Sequence, residues 1–261
     1  YQFNVDGEKL IADPWSKDVI WKDIIGLNES ADFQRAKTNF SIGGSSYDWG
    51  DSDYQRPIVN ELIIYEMHVG DFGPSENQYG TFEEVTSKIE SGYFEQLGIN
   101  AIELMPVSEF EGSFSWGYNP SFYMAPESQY GTPEDLKRLV DVAHQHGIAI
   151  LLDVVFNHLW GSSPLFQLYQ PLDNYNWQDH DFSNCPYFDD EESLWGYKLE
   201  HWHQVSGREY RGWKHIVDAL DVWVYDYHID GFRFDYTPGI GWGGDSNGAS
   251  FYANYLDNID S

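Results

Sequence analysis

Four short apolar runs recur along this chain with helix signals between them, and that alternation restricts the fold more than any other feature. The runs are Leu62-Ile-Ile-Tyr-Glu-Met-His68, Ala101-Ile-Glu-Leu-Met105, Ala149-Ile-Leu-Leu-Asp-Val-Val155 and Gly231-Phe-Arg-Phe-Asp235, each of strand length and mostly apolar. Between the first two, Thr81-Phe-Glu-Glu84 has the form of a capping box and predicts a helix running toward Leu97 and stopping at Gly98. Thr132-Pro-Glu-Asp135 puts a capping hydroxyl before a proline at the first helical position, which predicts a helix ending near His146-Gly147. Trp213 to Tyr227 carries apolar residues at helical spacing ahead of the fourth run. The order βαβαβαβ requires parallel strands joined by right-handed crossovers.

Two of the runs end abruptly in polar side chains, Asp153-Val-Val-Phe-Asn-His158 and Gly231-Phe-Arg-Phe-Asp235. In a barrel of parallel strands, catalytic groups sit where strands run out into loops, so Asn157, His158, Arg233 and Asp235 are expected to converge on one mouth. Arg233 and Asp235 are two residues apart on one strand and share a face, where the guanidinium can hold the carboxylate ionised. A structural ion pair is the alternative for such spacing, and a lone histidine after a strand also serves structure more often than ligand contact.

The remaining sequence organises around this core. Tyr1 to Pro14 reads as two short strands turning at Asp6-Gly7, the tail of a small β-domain taken to span 1–30, because two strands do not stand alone in water. Residues 31–57 read as a polar connector with a turn at Gly43-Gly44, and 58–261 as the barrel portion. An aperiodic stretch at about 159–211 is too long for a bare connection and is expected to form a functional loop or small subdomain. Its Trp160, Tyr169, Tyr175, Trp177, Tyr187, Trp195, Tyr197 and Trp202 suit either a sugar-facing wall or that subdomain's own packing.

Composition narrows the partners. A net charge of −29, from 14 Lys+Arg against 43 Asp+Glu, disfavours nucleic acid and anionic membrane, which need clustered cations. The acidity fits a high-salt habitat or simply a soluble acidic surface. A single cysteine, Cys185, excludes an internal disulfide, and no apolar run reaches the roughly 18 residues of a membrane span. A cytoplasmic location is the expectation. His201-Trp-His203 lacks a third metal ligand at a recognisable spacing, His144 and His146 fall in the last turn of a helix where cations suit the dipole, and Gly241-Trp-Gly-Gly244 lacks the lysine of a phosphate cradle.

The two polar-ended runs resemble the first and second signature regions of the α-amylase family of glycoside hydrolases and transglycosylases. Trp116-Gly-Tyr-Asn-Pro120, Gly98-Ile-Asn-Ala-Ile-Glu-Leu-Met-Pro106 and Tyr65-Glu-Met-His-Val69 are similar to motifs of its isoamylase and glucan-branching members. The resemblance covers about 60 to 261 and implies a (β/α)8 TIM barrel of which about the first four β/α units are present, preceded by the end of a starch-binding-like β-sandwich. It implies that Asp235 is the nucleophile of a retaining mechanism, forming a covalent glycosyl-enzyme, with Arg233 beside it. It likewise implies that His158 bonds sugar hydroxyls, that Tyr118 is the aromatic platform under the sugar, and that Asp153 and Asn157 organise the mouth. No cofactor is required; calcium enters only because Asn157 matches a calcium ligand in some α-amylases.

In this family the acid/base is a Glu from the fifth strand and a further Asp comes from the seventh, and both are expected to lie outside this chain. The implied activity is on α-1,4/α-1,6-linked glucans, by hydrolysis, debranching or branching, with the isolated segment inactive. Two other readings compete: a glucan-binding protein that kept the barrel and lost the chemistry, and an acidic α/β domain whose motifs arose by chance.

Overall fold

The computed structural model describes residues 1–21, 36–42, 46–73, 79–112, 114–169, 185–193, 196–201 and 211–240. Strands β1 (Phe3–Val5) and β2 (Lys9–Ile11) form an antiparallel hairpin, and β3 (Val19–Trp21) pairs antiparallel with β4 (Ala36–Thr38), which lies in the segment expected to connect. The segment that holds both pairs is tied to the later part of the chain. Lys9 Nζ donates to the Leu168 carbonyl, Trp15 Nε1 to Asp218 and Trp21 Nε1 to Glu109.

The four apolar runs become β5 (Ile64–Met67), β6 (Ala101–Leu104), β7 (Ala149–Val154) and, further along the chain, β11 (Gly231–Phe234). They form one parallel sheet in the order β11-β7-β6-β5. Its helix-facing side is apolar: Ile102, Leu104, Ile150, Leu152 and Val154 are buried in the main core. Fully burying each such side chain contributes roughly 1.5–3 kcal/mol, and together they fix the register, since a one-residue slip would turn every apolar residue outward.

Helix α1 (Phe82–Glu90) starts at the predicted capping box, where the Thr81 side chain accepts from the Glu84 amide and Glu84 accepts from the Thr81 amide. The helix does not run unbroken to Leu97. Gly92 takes a left-handed φ of 72° and splits off α2 (Tyr93–Leu97), after which Gly98 ends the helical region at φ 74°. Helix α3 (Pro133–Gln145) carries the second capping box, with Pro133 at the first helical position.

After β7, strand β8 (His158–Leu159), helix α4 (Pro164–Tyr169), β9 (Phe188–Ser193) and β10 (Gly196–Leu199) build a small subdomain whose antiparallel sheet has the order β8-β10-β9. Tyr197 stacks on Phe166 at 3.7 Å, and Tyr187 is buried in the core. Both aromatics take part in the subdomain's packing. Tyr175, Trp177, Trp195 and Trp202 lie outside the described residues. Helix α5 (Arg211–Asp221) passes into a π-helical turn at Val222–Asp226, which leads through His228 and Asp230 into β11. That π-turn, common near functional sites, breaks the predicted regular helix from Trp213 to Tyr227.

Candidate active site

Strand geometry decides which side chains meet at the mouth. In the parallel register Arg233 lies opposite Asp153, and Glu66 opposite Glu103, so these residues point to the inner face while their neighbours point to the helices. The Asp235 amide donates to the Val154 carbonyl at 2.9 Å, extending the ladder one residue beyond β11. Tyr236 comes next with a positive φ of 42°, a conformation uncommon for a residue other than glycine and frequent at functional sites.

The centre of the arrangement is Arg233. Its Nη1 donates to Asp235 Oδ1 at 2.6 Å and to both carboxylate oxygens of Asp153 at 3.0 Å. Tyr118 Oη donates to Asp153 Oδ2 at 2.7 Å, which pins its ring beside the pair. Burial pushes the Asp153 carboxyl above the ordinary range, against the lowering effect of the Tyr118 and Arg233 bonds. The Tyr118 hydroxyl is raised by burial and by its bond to Asp153. The Arg233 guanidinium is raised despite desolvation, because two carboxylates hold it.

Of the six predicted site residues, Asp153, Arg233, Asp235 and Tyr118 form one bonded group. His158 joins it indirectly: it is buried, its Nε2 donates to the Tyr118 carbonyl at 2.8 Å, and its Nδ1 has no partner. Burial lowers its affinity for a proton, and Asp235 lies near enough to oppose that effect. The ring is therefore a neutral tautomer carrying its hydrogen on Nε2, with a free acceptor at Nδ1. Asn157 stands apart, buried with Oδ1 unpartnered. A calcium ion needs about six to eight oxygens, and one orphan amide oxygen does not supply them; among the described residues no cluster of three or more His, Cys, Asp or Glu could hold a metal.

Glu103 was not singled out in the sequence, although it interrupts an apolar strand on the side that faces Asp153. Its carboxyl is raised by burial and then by the charges of Asp153 and Glu66, with Arg233 opposing. The inner face thus gathers Glu66, Glu103, Asp153 and Asp235 around a single guanidinium. Trp116, part of a quoted motif but given no role, is 62 % exposed beside Tyr118. Gly117 between them has φ 88°, and an added Cβ would stand 2.3 Å from the Pro106 carbonyl. His201, one half of the HisTrpHis motif, is buried with Nε2 on the Phe156 carbonyl and burial lowering its pKa to about 4. It serves packing.

An anionic cluster built on a pinned Arg–Asp pair thus sits at the carboxyl ends of the parallel strands. Residues 49–250 match the family described as the alpha amylase catalytic domain, and the chain belongs to that family. The malto-oligosyltrehalose trehalohydrolase of Deinococcus radiodurans is 34 % identical over 194 residues, covering 74 % of this chain and 28 % of the relative. Isoamylase 3 of Oryza sativa, a chloroplast protein, is 32 % identical over 271 residues, covering 88 % of this chain and 32 % of the relative. A solved putative alpha amylase from Salmonella typhimurium superposes with a TM-score of 0.67 at 28 % identity, covering 93 % of this chain and 35 % of that one. The chain spans about a third or less of the length of these proteins.

Proposed function

We propose that this chain is the amino-terminal part of the catalytic barrel of a retaining enzyme acting on α-1,4/α-1,6-linked glucans, with Asp235 as the nucleophile. The bond from Arg233 Nη1 to Asp235 at the strand end carries this reading. It holds one carboxylate oxygen and leaves the other for an anomeric carbon. Attack from that oxygen would displace the glycosidic oxygen and form a covalent glycosyl-enzyme, which water or another glucan then resolves. The surrounding carboxylates Asp153 and Glu103 favour the positive charge that develops on the sugar ring.

In the same reading Tyr118 lies under the sugar, the free Nδ1 of His158 accepts from a sugar hydroxyl, and Asp153 keeps Arg233 and Tyr118 in place while Asn157 supports the turn behind them. The proton donor, a second carboxyl group about 5–5.5 Å from the nucleophile, is assigned to residues beyond 261. The hairpin β1–β2 is assigned to the end of a preceding carbohydrate-binding β-domain. Relatives named malto-oligosyltrehalose trehalohydrolase and isoamylase support the substrate class. Among the described residues no helix is long and apolar enough to cross a membrane, and a sequence with one cysteine, the buried Cys185, suits a cytoplasmic setting.

In the full-length protein, Asp235→Asn is expected to reduce glucan turnover by on the order of 10³-fold or more without moving the thermal midpoint by more than a few degrees. A fluorinated glucosyl substrate should trap an adduct on Asp235, read by peptide mass. Labelling of another carboxylate would remove Asp235 from this role. Product analysis on amylose separates hydrolysis, which shortens chains, from branching, which creates α-1,6 linkages.

A further inference from the structure

At the opposite end of the sheet, residues 46–57 lie across the approach to β11 and are tied there by a cluster no part of the proposed chemistry uses. Asp51 Oδ2 receives His144 Nδ1 at 2.9 Å and His228 Nδ1 at 2.7 Å. Asp230 Oδ2 receives His144 Nε2 at 3.0 Å and the Ile150 amide at 2.8 Å, while its Oδ1 receives Tyr54 Oη at 3.1 Å. The Tyr54 ring stacks on His144 at 3.9 Å and Trp49 on His228 at 3.7 Å. Arg56 donates to the Asp230 carbonyl, and Gly50 and Tyr47 donate to Asp141 on α3.

Both ring nitrogens of His144 face carboxylate oxygens. A neutral imidazole has one N–H and one lone pair, and a carboxylate only accepts, so the two bonds together require an imidazolium. The side chain is 2 % exposed, which leaves water no part in satisfying it. Burial acts to lower the His144 pKa, but Asp230 and Asp51 outweigh it and the net shift is upward. Asp51 is pulled down by its two histidines, against the opposing effect of burial.

The cluster grips the first rung of β11. Asp230 donates its amide to the Ile150 carbonyl and takes the Ile150 amide on its side chain, closing a ring between β7 and the start of β11. His228, two residues earlier, has a φ of +53° and is held by Asp51 and Trp49. From that rung the register runs Gly231 to Leu151 and Arg233 to Asp153. A slip of one residue would turn Arg233 toward the helices.

We propose that His144, clamped as an imidazolium between Asp51 and Asp230, is a positioning residue that holds β11 in register and thereby places Arg233 and Asp235 at the mouth. Its effect on turnover rests on the reading of Asp235 as nucleophile; the clamp itself does not. The charged and titratable groups around it are Asp51, Tyr54 and Arg56 from residues 46–57, Asp141 from α3, and His228 and Asp230 from the approach to β11. With the folded pKa raised, the clamp is intact below the ordinary histidine value of about 6.5 and is lost as pH rises through the raised value.

The test uses the full-length protein with ¹⁵N-labelled histidine, the variants His144→Gln and Asp51→Asn, and hydrogen exchange read by mass spectrometry. Ring ¹⁵N shifts of His144 should show both nitrogens protonated at pH 7; a neutral tautomer there overturns the proposal. Exchange of the peptides holding Ile150 and residues 231–235 should accelerate at least tenfold in either variant while that of α1 is unchanged. Opening confined to residues 46–57 overturns it. Should His144→Gln fail to fold, Asp51→Asn leaves the ring in place and is expected to move the alkaline fall of kcat to lower pH with KM unchanged; an unmoved alkaline limb overturns the positioning role. A wild-type protein without glucan turnover would instead refute the reading of Asp235, with shifts and exchange still deciding the clamp.

Discussion

The two ends of the parallel sheet use the same residue types and satisfy them differently. At the amino end, His144, Asp51, Asp230 and Tyr54 spend their polar atoms on one another, and His144 and Asp230 are sealed from solvent. At the carboxyl end, Arg233 is 47 % and Asp235 27 % exposed at the side chain, and His158 Nδ1 and Asn157 Oδ1 are buried without partners. An unmet buried polar atom costs about 1–3 kcal/mol, a cost the floor avoids and the mouth carries. A site that must bind a polyhydroxylated chain needs such unspent groups, whereas a frame that must hold register cannot leave any.

That contrast predicts separable damage. Trp223 is fully buried and its Nε1 donates to the Tyr123 carbonyl, while none of the mouth side chains is its hydrogen-bond partner. Trp223→Ala should cost about 3–5 kcal/mol of stability, seen in urea unfolding, while the folded fraction keeps its kcat. A variant of unchanged stability and reduced kcat would mean that helix packing reaches the mouth by a route other than the register of β11.

A buried pair, Glu109 and Glu127, lies in the loops after β6. Glu109 receives Trp21 Nε1 and the Ser128 amide, Glu127 the amides of Phe110 and Gln129. Burial raises both, Glu127 to about 8, and Glu109 is raised further by its neighbour's charge. A carboxyl whose folded pKa lies above its unfolded value favours folding while protonated and loses that advantage as pH rises through the folded value. Thermal stability should therefore decline between about pH 4.5, the ordinary glutamate range, and pH 8, by on the order of a few kcal/mol. Glu127→Gln should flatten that slope; a slope unchanged in the variant would locate the titration elsewhere.

A smaller effect tests the mouth's own division of labour. Tyr118→Phe keeps the ring and removes the hydroxyl from Asp153, leaving Arg233 as that carboxylate's remaining side-chain partner. The loss of one hydrogen bond to a charged group is worth about 1.5–3 kcal/mol at most. Stability should drop by no more than that and kcat by about tenfold, with KM little changed because the stacking face remains. A rise in KM alone would show that the hydroxyl binds substrate rather than fixing Asp153.

Much of this was legible in the chain. The four strands lie within two residues of the apolar runs, because apolar runs of strand length between turn signals leave few alternatives, and the capping box at Thr81 and the capping hydroxyl of Thr132 marked both helix starts. Asp153, Arg233, Asp235 and Tyr118 followed from strand ends and a familiar pattern. His144 did not: it does fall in the last turn of α3, but its partners are 93 and 86 residues away, and no local signal joins Asp51 to Asp230. The π-turn at Val222–Asp226 escaped because the apolar spacing of a regular helix continues through it.

The acidity read from composition has one direct structural test, and its expected effect is the smallest. Lys17 donates to Asp226 at 2.5 Å with side chains 55 % and 40 % exposed, one of few cations on a chain of net charge −29. An exposed pair contributes about 0–1 kcal/mol, so Lys17→Ala should lower stability by less than about 0.5 kcal/mol at 0.15 M salt. Long-range repulsion would add to this if the acidic surface acted collectively, and screening over about 3 Å at 1 M salt would remove it. A loss well above 1 kcal/mol at low salt that vanishes at 1 M would show that the surface charge is tuned to a saline medium; a small, salt-independent change would leave it as ordinary solubilising charge and confine the energetically important ions to the clamp and the mouth.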